Sequence, residues 1–214
     1  MTLISSWSGG KDSCYASMLA VAEGHRLSAL LNIMNENGRI SRSHGLTKEI
    51  LEQQAKAIGV PFYGIPASWK EYERNYIKAL HKIKRAHHPT GVIFGDIDLI
   101  SHKDWEEKVC ATANLKAHLP LWRQNRKALV HAMIDNGIKA IIVSCDMRLG
   151  KKFLGREINK DLVEELESMG IDACGENGEY HTVVTDCPLF SKGIDLTGYT
   201  SVVHDDYCFI DWDG

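Results

Sequence analysis

The stretch Ser8-Gly9-Gly10-Lys11-Asp12-Ser13 decides the fold. The apolar run Leu3–Trp7 precedes it, and a helical pattern with one apolar face begins directly after it. This order predicts a strand, a tight glycine loop and a helix.

The composition of this loop favours the binding of an anion. Gly9 and Gly10 lack a Cβ, so the backbone can bend sharply and approach a ligand closely. The free N–H groups at the helix start then point at the ligand, Lys11 adds a positive charge, and two serines add hydroxyl donors. The pattern differs from the common Gly-x4-Gly-Lys-Ser/Thr loop, because Ser5 stands five residues before Gly10 and Asp12 follows the lysine. We expect the six residues to hold a phosphate or pyrophosphate.

Length and composition limit the class of protein. The chain has 214 residues, 44% of them hydrophobic and 25% charged, which suits one large α/β domain or a domain with a small appendage. A net charge of -3 gives no electrostatic case for nucleic acid. We expect no membrane span and a cytoplasmic protein with reduced thiols. The six cysteines contain no Cys-x-x-Cys pair, which argues against a zinc site and a CxxC redox motif.

Strand and helix patterns alternate over about the first 145 residues. After the first strand, further strands are predicted at Leu27–Met34, Phe62–Ile65, Gly91–Ile97 and Ile138–Ser144. This alternation predicts an α/β fold with a doubly wound, mostly parallel five-stranded sheet. The pattern changes after Asp146, so we expect a nucleotide-binding domain over residues 1–146 and a smaller C-terminal α+β lobe over 147–214 that covers the strand ends.

Several candidate residues follow the carboxyl ends of the predicted strands, where ligands bind in such sheets. Asn32 and Met34 are placed to meet an adenine, although Met34 suits a core position equally. Asp96, after Gly95, could hold Mg²⁺ or a substrate group, with a structural turn as the alternative. His44 could contact nucleotide or substrate, or lie on the surface. Most charges at the start of the next helix, over 103–108, are expected to face solvent.

A second motif lies in the C-terminal part, over 175–182, and reads Gly-Glu-Asn-Gly-Glu-Tyr-His-Thr. Its two glutamates, Glu176 and Glu179, flank an Asn-Gly pair that favours a tight turn. The Asn-Gly pair suits a purely structural turn, whereas the two glutamates are candidates for a functional role.

These motifs together resemble a known family. The loop at 8–13 resembles the PP-loop of the ATP pyrophosphatases, which have a HUP-like fold and are also called adenine nucleotide α-hydrolase-like proteins. Residues 175–182, with Pro188-Leu189-Phe190, resemble the Gly-Glu-Gly-Gly-Glu-Phe/Tyr-Glu-Thr and Pro-x-Phe segments of the diphthine–ammonia ligase family. Gly95-Asp96-Ile97 and Pro120-Leu121-Trp122 also look like segments of that family. Asn177 and His181 depart from its usual Gly and Glu, and the residues after Ile97 depart from its Ser-x-Tyr-Gln-Arg, as in a divergent branch.

The resemblance implies an ATP-dependent amide-forming ligase. Such an enzyme adenylates a carboxylate, releases pyrophosphate and then AMP, and uses ammonium from solution. The implied acceptor is diphthine, a modified histidine of elongation factor 2, or a related carboxylate, and the implied cofactors are ATP and Mg²⁺. The implied catalytic residues are Lys11, Asp96, Glu176 and Glu179. The acceptor contacts are expected from His44, Asn177, Tyr180 and His181.

Other functions stay open at this point. A PP-loop enzyme that adenylates a tRNA base is one alternative, although the paired cysteines of its sulfur-transferring members are absent from this sequence. A non-catalytic ATP sensor is another. A bacterial source would require a different carboxylate, and the apolar residues of the C-terminal part could serve a homodimer or a lid.

Overall fold

Residues 1–212 are described in the computed structural model, and they form two sheets with helices packed around them. The elements up to the last strand of the first sheet are β1 (Thr2–Ser6), α1 (Lys11–Ala22), β2 (Arg26–Met34), α2 (Lys48–Ile58), β3 (Phe62–Pro66), α3 (Tyr72–His87), β4 (Gly91–Ile93), α4 (Ile100–Thr112) and β5 (Lys116–His118). The elements that follow are α5 (Arg126–Asp135), β6 (Lys139–Asp146), α6 (Lys160–Ser168), β7 (Tyr180–Asp186), β8 (Thr200–His204) and β9 (Tyr207–Asp211).

The first sheet has five parallel strands in the order β3-β2-β1-β4-β5. Side chains alternate across each strand, so Leu3 and Ile4 of β1 enter different cores. The Leu3 core contains α1 and α2, whereas the Ile4 core contains α3 and α4. The doubly wound parallel sheet expected from the sequence is therefore confirmed.

One member of that sheet was predicted wrongly. Ile138–Ser144, expected as its fifth strand, belongs to β6 and pairs antiparallel with β7 and β9 in the other sheet. The fifth parallel strand is β5, which pairs with β4 through Gly91 and Lys116. Three residues are too few to show a strand period, and a buried apolar run does not specify which strand it will pair with.

The second sheet is the smaller, antiparallel one, with the order β7-β6-β9-β8. Together with α5 and α6 it forms the expected C-terminal α+β part. β7 lies against the glycine loop, where the Val184 N–H donates to the Gly9 carbonyl at 2.9 Å. The division of the chain at residue 146 stays a prediction, and the change from one sheet to the other falls earlier, between β5 and β6.

Smaller differences concern the ends of elements. β4 ends at Ile93, so Phe94, Gly95 and Asp96 follow it as an irregular segment. α3 begins at Tyr72, directly after a separate 3₁₀ turn over Trp69–Glu71. Within the described part of the chain, no helix combines the length and the apolar character that crossing a membrane requires. All six cysteines are free thiols, and all are buried.

Candidate active site

The glycine loop joins β1 to α1, as the sequence predicts. Gly9 has φ +88°, a left-handed conformation that favours glycine, and Gly10 is the extended residue that caps α1. The hydroxyls of Ser8 and Ser13 lie 3.0 Å apart across the loop, and the Ser13 hydroxyl also donates to the Gly10 carbonyl at 3.2 Å. The Lys11 N–H donates to the Thr182 hydroxyl at 3.1 Å, which joins the helix start to β7.

Close packing explains the glycine at two positions, one in the loop and one in the segment after β4. A Cβ on Gly10 would lie 2.5 Å from Cε1 of His44 and 3.0 Å from the Thr182 carbonyl oxygen. A Cβ on Gly95 would lie 2.7 Å from the Ser13 nitrogen, because the segment after β4 runs against the start of α1. Side chains larger than hydrogen at either position would displace the loop from its neighbours.

Lys11 is the buried cation of the loop. Its ammonium contacts both carboxylate oxygens of Asp12, at 3.1 and 2.9 Å, and the carbonyl oxygen of Cys174 at 2.5 Å. Burial alone would lower the pKa of Lys11, but the charge of Asp12 and the other nearby acidic groups outweigh it, and the pKa is raised. The side chain therefore stays charged at every physiological pH and is suited to bind a phosphate.

A cavity of about 530 Å³ opens beside the loop, at the carboxyl ends of β1, β2 and β4 and under the segment that leads into β7. Eleven of the predicted site residues line it, namely Ser8, Lys11, Asp12, Ser13, Asn32, His44, Gly95, Asp96, Glu176, Tyr180 and His181. Five do not line it, namely Gly9, Gly10, Met34, Asn177 and Glu179. Met34 lies fully buried in the core, as expected from the alternative prediction of a core position in place of an adenine contact.

Asn32 presents an unused acceptor to this cavity. Its amide nitrogen donates to the Trp7 carbonyl at 2.7 Å, whereas its buried Oδ1 has no hydrogen-bond partner among the described residues. An unpaired buried acceptor is costly, so a ligand that donates a hydrogen bond here would recover that cost.

Gln54 supports the loop from behind, and sequence reasoning missed it. Its amide nitrogen donates to the carbonyls of Gly9 at 3.0 Å and Val184 at 2.8 Å, and its oxygen accepts from the Trp7 indole at 2.7 Å. Its position in the sequence could have indicated its burial, because Gln54 lies three residues after Leu51 and one before Ala55, on the apolar face of α2.

Two histidines lie together above the loop. The His44 and His181 rings have centroids 4.6 Å apart, and Nδ1 of His44 lies 3.0 Å from the Thr182 carbonyl oxygen. Burial lowers the pKa of His44 to about 4 and that of His181 to about 3, with the charge of Lys11 acting in the same direction. Both rings are therefore neutral near pH 7, and Nδ1 of His44 donates its proton to the carbonyl.

The loop before β7 carries the second predicted motif and is held from within. The buried Glu179 carboxylate accepts from the N–H groups of Asp172 at 3.4 Å and Asn177 at 3.0 Å and from the Asn177 amide at 3.0 Å. Asp172 accepts in turn from the N–H groups of Cys174 at 3.1 Å and Glu176 at 3.3 Å. Glu179 thus shapes the loop, and Glu176 is the glutamate that reaches the cavity.

Arg126, on α5, holds this loop by hydrogen bonds. Its guanidinium donates to Asp172, to Asn177 at 3.3 Å, and to both carboxylate oxygens of Asp98 at 2.8 and 2.7 Å. Asp98 follows Asp96 in the segment after β4, so one side chain joins the two acidic segments on either side of the cavity.

Glu176 has a pKa suited to proton transfer. Burial and the charge of Asp12 raise the pKa of Glu176 to about 7, although Lys11 opposes them. A carboxyl group that exchanges its proton near neutral pH can act as a general base in this cavity.

A second acidic pair faces the cavity from the other side. Asp96 accepts from His102 at 2.7 Å and shares a hydrogen bond with Glu106. Burial and Asp96 raise the pKa of Glu106 to about 10, whereas the hydrogen bonds from His102 and Glu106 outweigh burial and lower that of Asp96. The pair therefore carries one negative charge near pH 7. Glu106 was expected among the solvent-facing charges, but it shares the buried stripe of α4 with Val109 and Cys110.

These surroundings do not fit a metal ion held by the protein alone. Within residues 1–212 no group of three His, Cys, Asp or Glu side chains could hold a metal, and hydrogen bonds already engage Asp96. A magnesium ion at Asp96 stays a prediction.

The glycine loop, its buried lysine and the cavity at the strand ends are those of a nucleotide-binding α/β protein. Residues 1–117 match the family described as "Diphthamide synthase N-terminal domain", and residues 125–213 match "Diphthamide synthase C-terminal domain". The chain is 31% identical to "Diphthine--ammonia ligase" of Danio rerio, over 98% of this chain and 91% of that protein. It is 30% identical to "Diphthine--ammonia ligase" of Mus musculus, over 92% of this chain and 83% of that protein.

A solved structure is more distantly similar. "The crystal structure of predicted subunit of tRNA methyltransferase from Methanocaldococcus jannaschii DSM" has a TM-score of 0.47 and 15% identity, over 91% of this chain and all of that chain. This likeness is too weak to carry an argument.

The chain belongs to the diphthamide synthase family. The resemblance inferred from the sequence is therefore confirmed, and so is the enzyme class, an ATP-dependent ligase.

Proposed function

We propose that the protein activates a carboxylate with ATP and transfers it to ammonia, and that the carboxylate is that of diphthine on elongation factor 2. The relatives named as diphthine–ammonia ligases support the acceptor and the amine. The main support for activation by ATP is the buried, charged Lys11 at the start of α1, which lies beside a cavity that Glu176 also lines.

The nucleotide lies across the carboxyl ends of β1 and β2 in this proposal. Its phosphates contact the Lys11 ammonium and the hydroxyls of Ser8 and Ser13, because these groups line the cavity and supply positive charge and donors. The adenine amino group donates to the unpaired Oδ1 of Asn32. This arrangement directs the phosphates toward Glu176 and the segment that covers the loop.

The first step forms an acyl-adenylate. A carboxylate oxygen of the acceptor attacks the α-phosphorus of ATP, and the bond from that phosphorus to the oxygen that bridges to the β-phosphate breaks. Pyrophosphate leaves with the bonding electrons. Lys11 offsets the charge that develops on it, which is the kind of electrostatic stabilisation that fixed, buried donors provide.

The second step forms the amide. Ammonia attacks the acyl carbon, the bond from that carbon to the phosphate oxygen breaks, and AMP leaves. The nitrogen must lose a proton, and Glu176 is placed in the cavity with a pKa of about 7 to accept it.

An isotope experiment tests this proposal. The acceptor carboxylate is labelled with ¹⁸O and incubated with enzyme, ATP, Mg²⁺ and ammonium. We expect one ¹⁸O atom in AMP and unlabelled pyrophosphate, since the carboxylate oxygen stays on the α-phosphorus when the amide forms. Label in inorganic phosphate with ADP as the other product would contradict adenylation, and AMP formation independent of this acceptor would contradict diphthine as the substrate.

A further inference from the structure

The outer strand of the second sheet, β8, has one unpaired edge. It is the last strand in the order β7-β6-β9-β8, and within residues 1–212 no segment pairs with its outer side. All five residues of β8 are exposed, and the exposed fractions of Val202 and Val203 are 45% and 43%. This edge therefore presents β-branched side chains together with free backbone groups.

The hairpin geometry determines which backbone groups of β8 face outward. β8 and β9 are joined by the two-residue turn 205–206, so the residues on either side of this turn exchange hydrogen bonds. Bonded and non-bonded pairs alternate along an antiparallel ladder, and the backbone of Val202 therefore also bonds to β9. The N–H and C=O groups of Ser201 and Val203 consequently point away from the sheet.

The β8 edge lacks the features that protect the edges of other strands in the molecule. The opposite edge strand, β7, is covered by the glycine loop, where the Val184 N–H donates to the Gly9 carbonyl at 2.9 Å. In the first sheet, β5 has three residues and begins with Lys116, and β3 ends at Pro66. Residues 199–204 read Tyr-Thr-Ser-Val-Val-His, with neither lysine nor proline, and pairing of β8 with β9 keeps one register over five positions. Such an edge favours the addition of another strand.

The outward-facing groups of β8 are complementary to those of a second β8. In an antiparallel pair with a twofold axis at Val202, Ser201 of one copy lies opposite Val203 of the second copy, and each such pair exchanges two hydrogen bonds. No like charges oppose each other along the strand in this register. The Asp205 side chains of the two copies lie about 20 Å apart, at about 3.4 Å per residue, which is well beyond the screening length.

We propose that β8 is a dimerisation edge, at which two copies of this chain form one continuous antiparallel sheet. The occupant is a second copy because both the hydrogen-bonding groups and the charges of the strand are self-complementary. The hairpin also contacts the candidate active site, since the Tyr207 hydroxyl donates to the Gly178 carbonyl at 3.0 Å. Pairing at β8 thus holds the hairpin beside the segment that carries Glu176. A single strand pair covers a small area, so the association is expected to be weak and to depend on concentration.

Sedimentation equilibrium between about 1 µM and about 200 µM tests the dimer, with an expected Kd on the order of 10 µM. Val202→Lys and Val202→Glu each place like charges directly opposite one another and are expected to weaken association at least about tenfold. An equimolar mixture of these two variants is expected to restore the dimer, because opposite charges then face each other. Val203→Pro removes an outward N–H without a bond to β9 and is also expected to weaken association. Met169→Lys, at another exposed apolar position (42%), is the control and should associate like the wild type.

Circular dichroism establishes that each variant is folded before its association is compared. Unchanged association of the Val202 and Val203 variants, or failure of the mixture to dimerise, would overturn the inference. A wild-type protein that stays monomeric over the whole range would also overturn it. If Val202→Lys then weakened binding to elongation factor 2, the edge would belong to the acceptor instead of a second copy. None of these measurements requires turnover, so their outcome is independent of the isotope result on adenylation.

Discussion

The Lys11 ammonium lies 2.5 Å from the carbonyl oxygen of Cys174, 163 residues later in the chain. The cation of the N-terminal loop is therefore held by the segment that carries Glu176. This contact joins the glycine loop to the segment directly before the second motif, far away in the sequence. Nucleotide binding at the loop is therefore expected to depend on the order of the second motif.

Substitution of Lys11 by Met is expected to lower the rate of acceptor-dependent pyrophosphate release by about 10²- to 10³-fold, because a buried donor of transition-state charge is lost. Methionine keeps much of the apolar length of the side chain, so circular dichroism is expected to show an unchanged fold. Lys48→Met, which removes a partly exposed lysine paired with Glu52 at 3.3 Å, is the control and should retain activity. Normal pyrophosphate release by the Lys11 variant would refute the role assigned to the loop.

Gln54→Ala is expected to destabilise the protein by about 2–4 kcal/mol, because it removes three hydrogen bonds to buried groups and leaves a small cavity. The same change is expected to weaken ATP binding, since the Gly9 carbonyl loses one of its two hydrogen-bond donors and keeps only the Val184 N–H. Urea unfolding and ATP titration measure the two effects. Gln53→Ala is a closely matched control, because the preceding glutamine is exposed. Equal stability of the two variants would contradict the anchoring role of Gln54.

Arg126→Lys tests the hydrogen bonds by which α5 holds the acidic segments. Lysine retains the charge but cannot make bidentate contacts with Asp98 while it also reaches Asp172. We expect faster amide hydrogen exchange over residues 172–179 and a lower kcat, with a smaller effect on the affinity for ATP. Lys127→Ala removes the neighbouring cation, which pairs with Glu167 on the surface at 2.6 Å, and should leave both properties unchanged. Unaltered amide hydrogen exchange in the Arg126 variant would show that the loop keeps its conformation without the hydrogen bonds from Arg126.

The sequence was sufficient to predict a structural feature where all the residues that form it lie in one short segment. The glycine loop follows from residues next to each other, since Gly9 adopts φ +88° and Gly10 caps α1. Partners distant in the chain were not predictable in this way. β5 has three residues and is recognisable only beside β4, and the apolar run of β6 would suit either sheet.

Site residues whose partners are distant in the chain were likewise not predictable from the sequence. Lys11, Asp96 and Glu176 were predicted because they belong to motifs, and the structure brings all three to one cavity. Gln54 and Glu106 belong to none, and only the tertiary structure shows that the polar groups they face are buried.

The pH dependence of turnover tests Glu176. Its pKa is raised to about 7, so the carboxyl group is protonated below that pH and cannot accept a proton, whereas above it the carboxylate is available. We expect kcat to rise with pH through about 7 when the concentration of free ammonia is held constant. Glu176→Gln should lower kcat by about 10²- to 10⁴-fold and abolish this rise.

A pKa argument and one control variant separate Glu176 from the histidines near the cavity. His44 and His181, with pKa values of about 4 and about 3, are neutral throughout this range and cannot produce the rise. The hydrogen bond to Asp96 raises the pKa of His102 above its ordinary value, so the contribution of this residue is tested by substitution. His102→Gln should therefore retain the pH-dependent rise if Glu176 is the base. A rise that persists in Glu176→Gln and disappears in His102→Gln would transfer the proton-accepting role to the Asp96 side of the cavity.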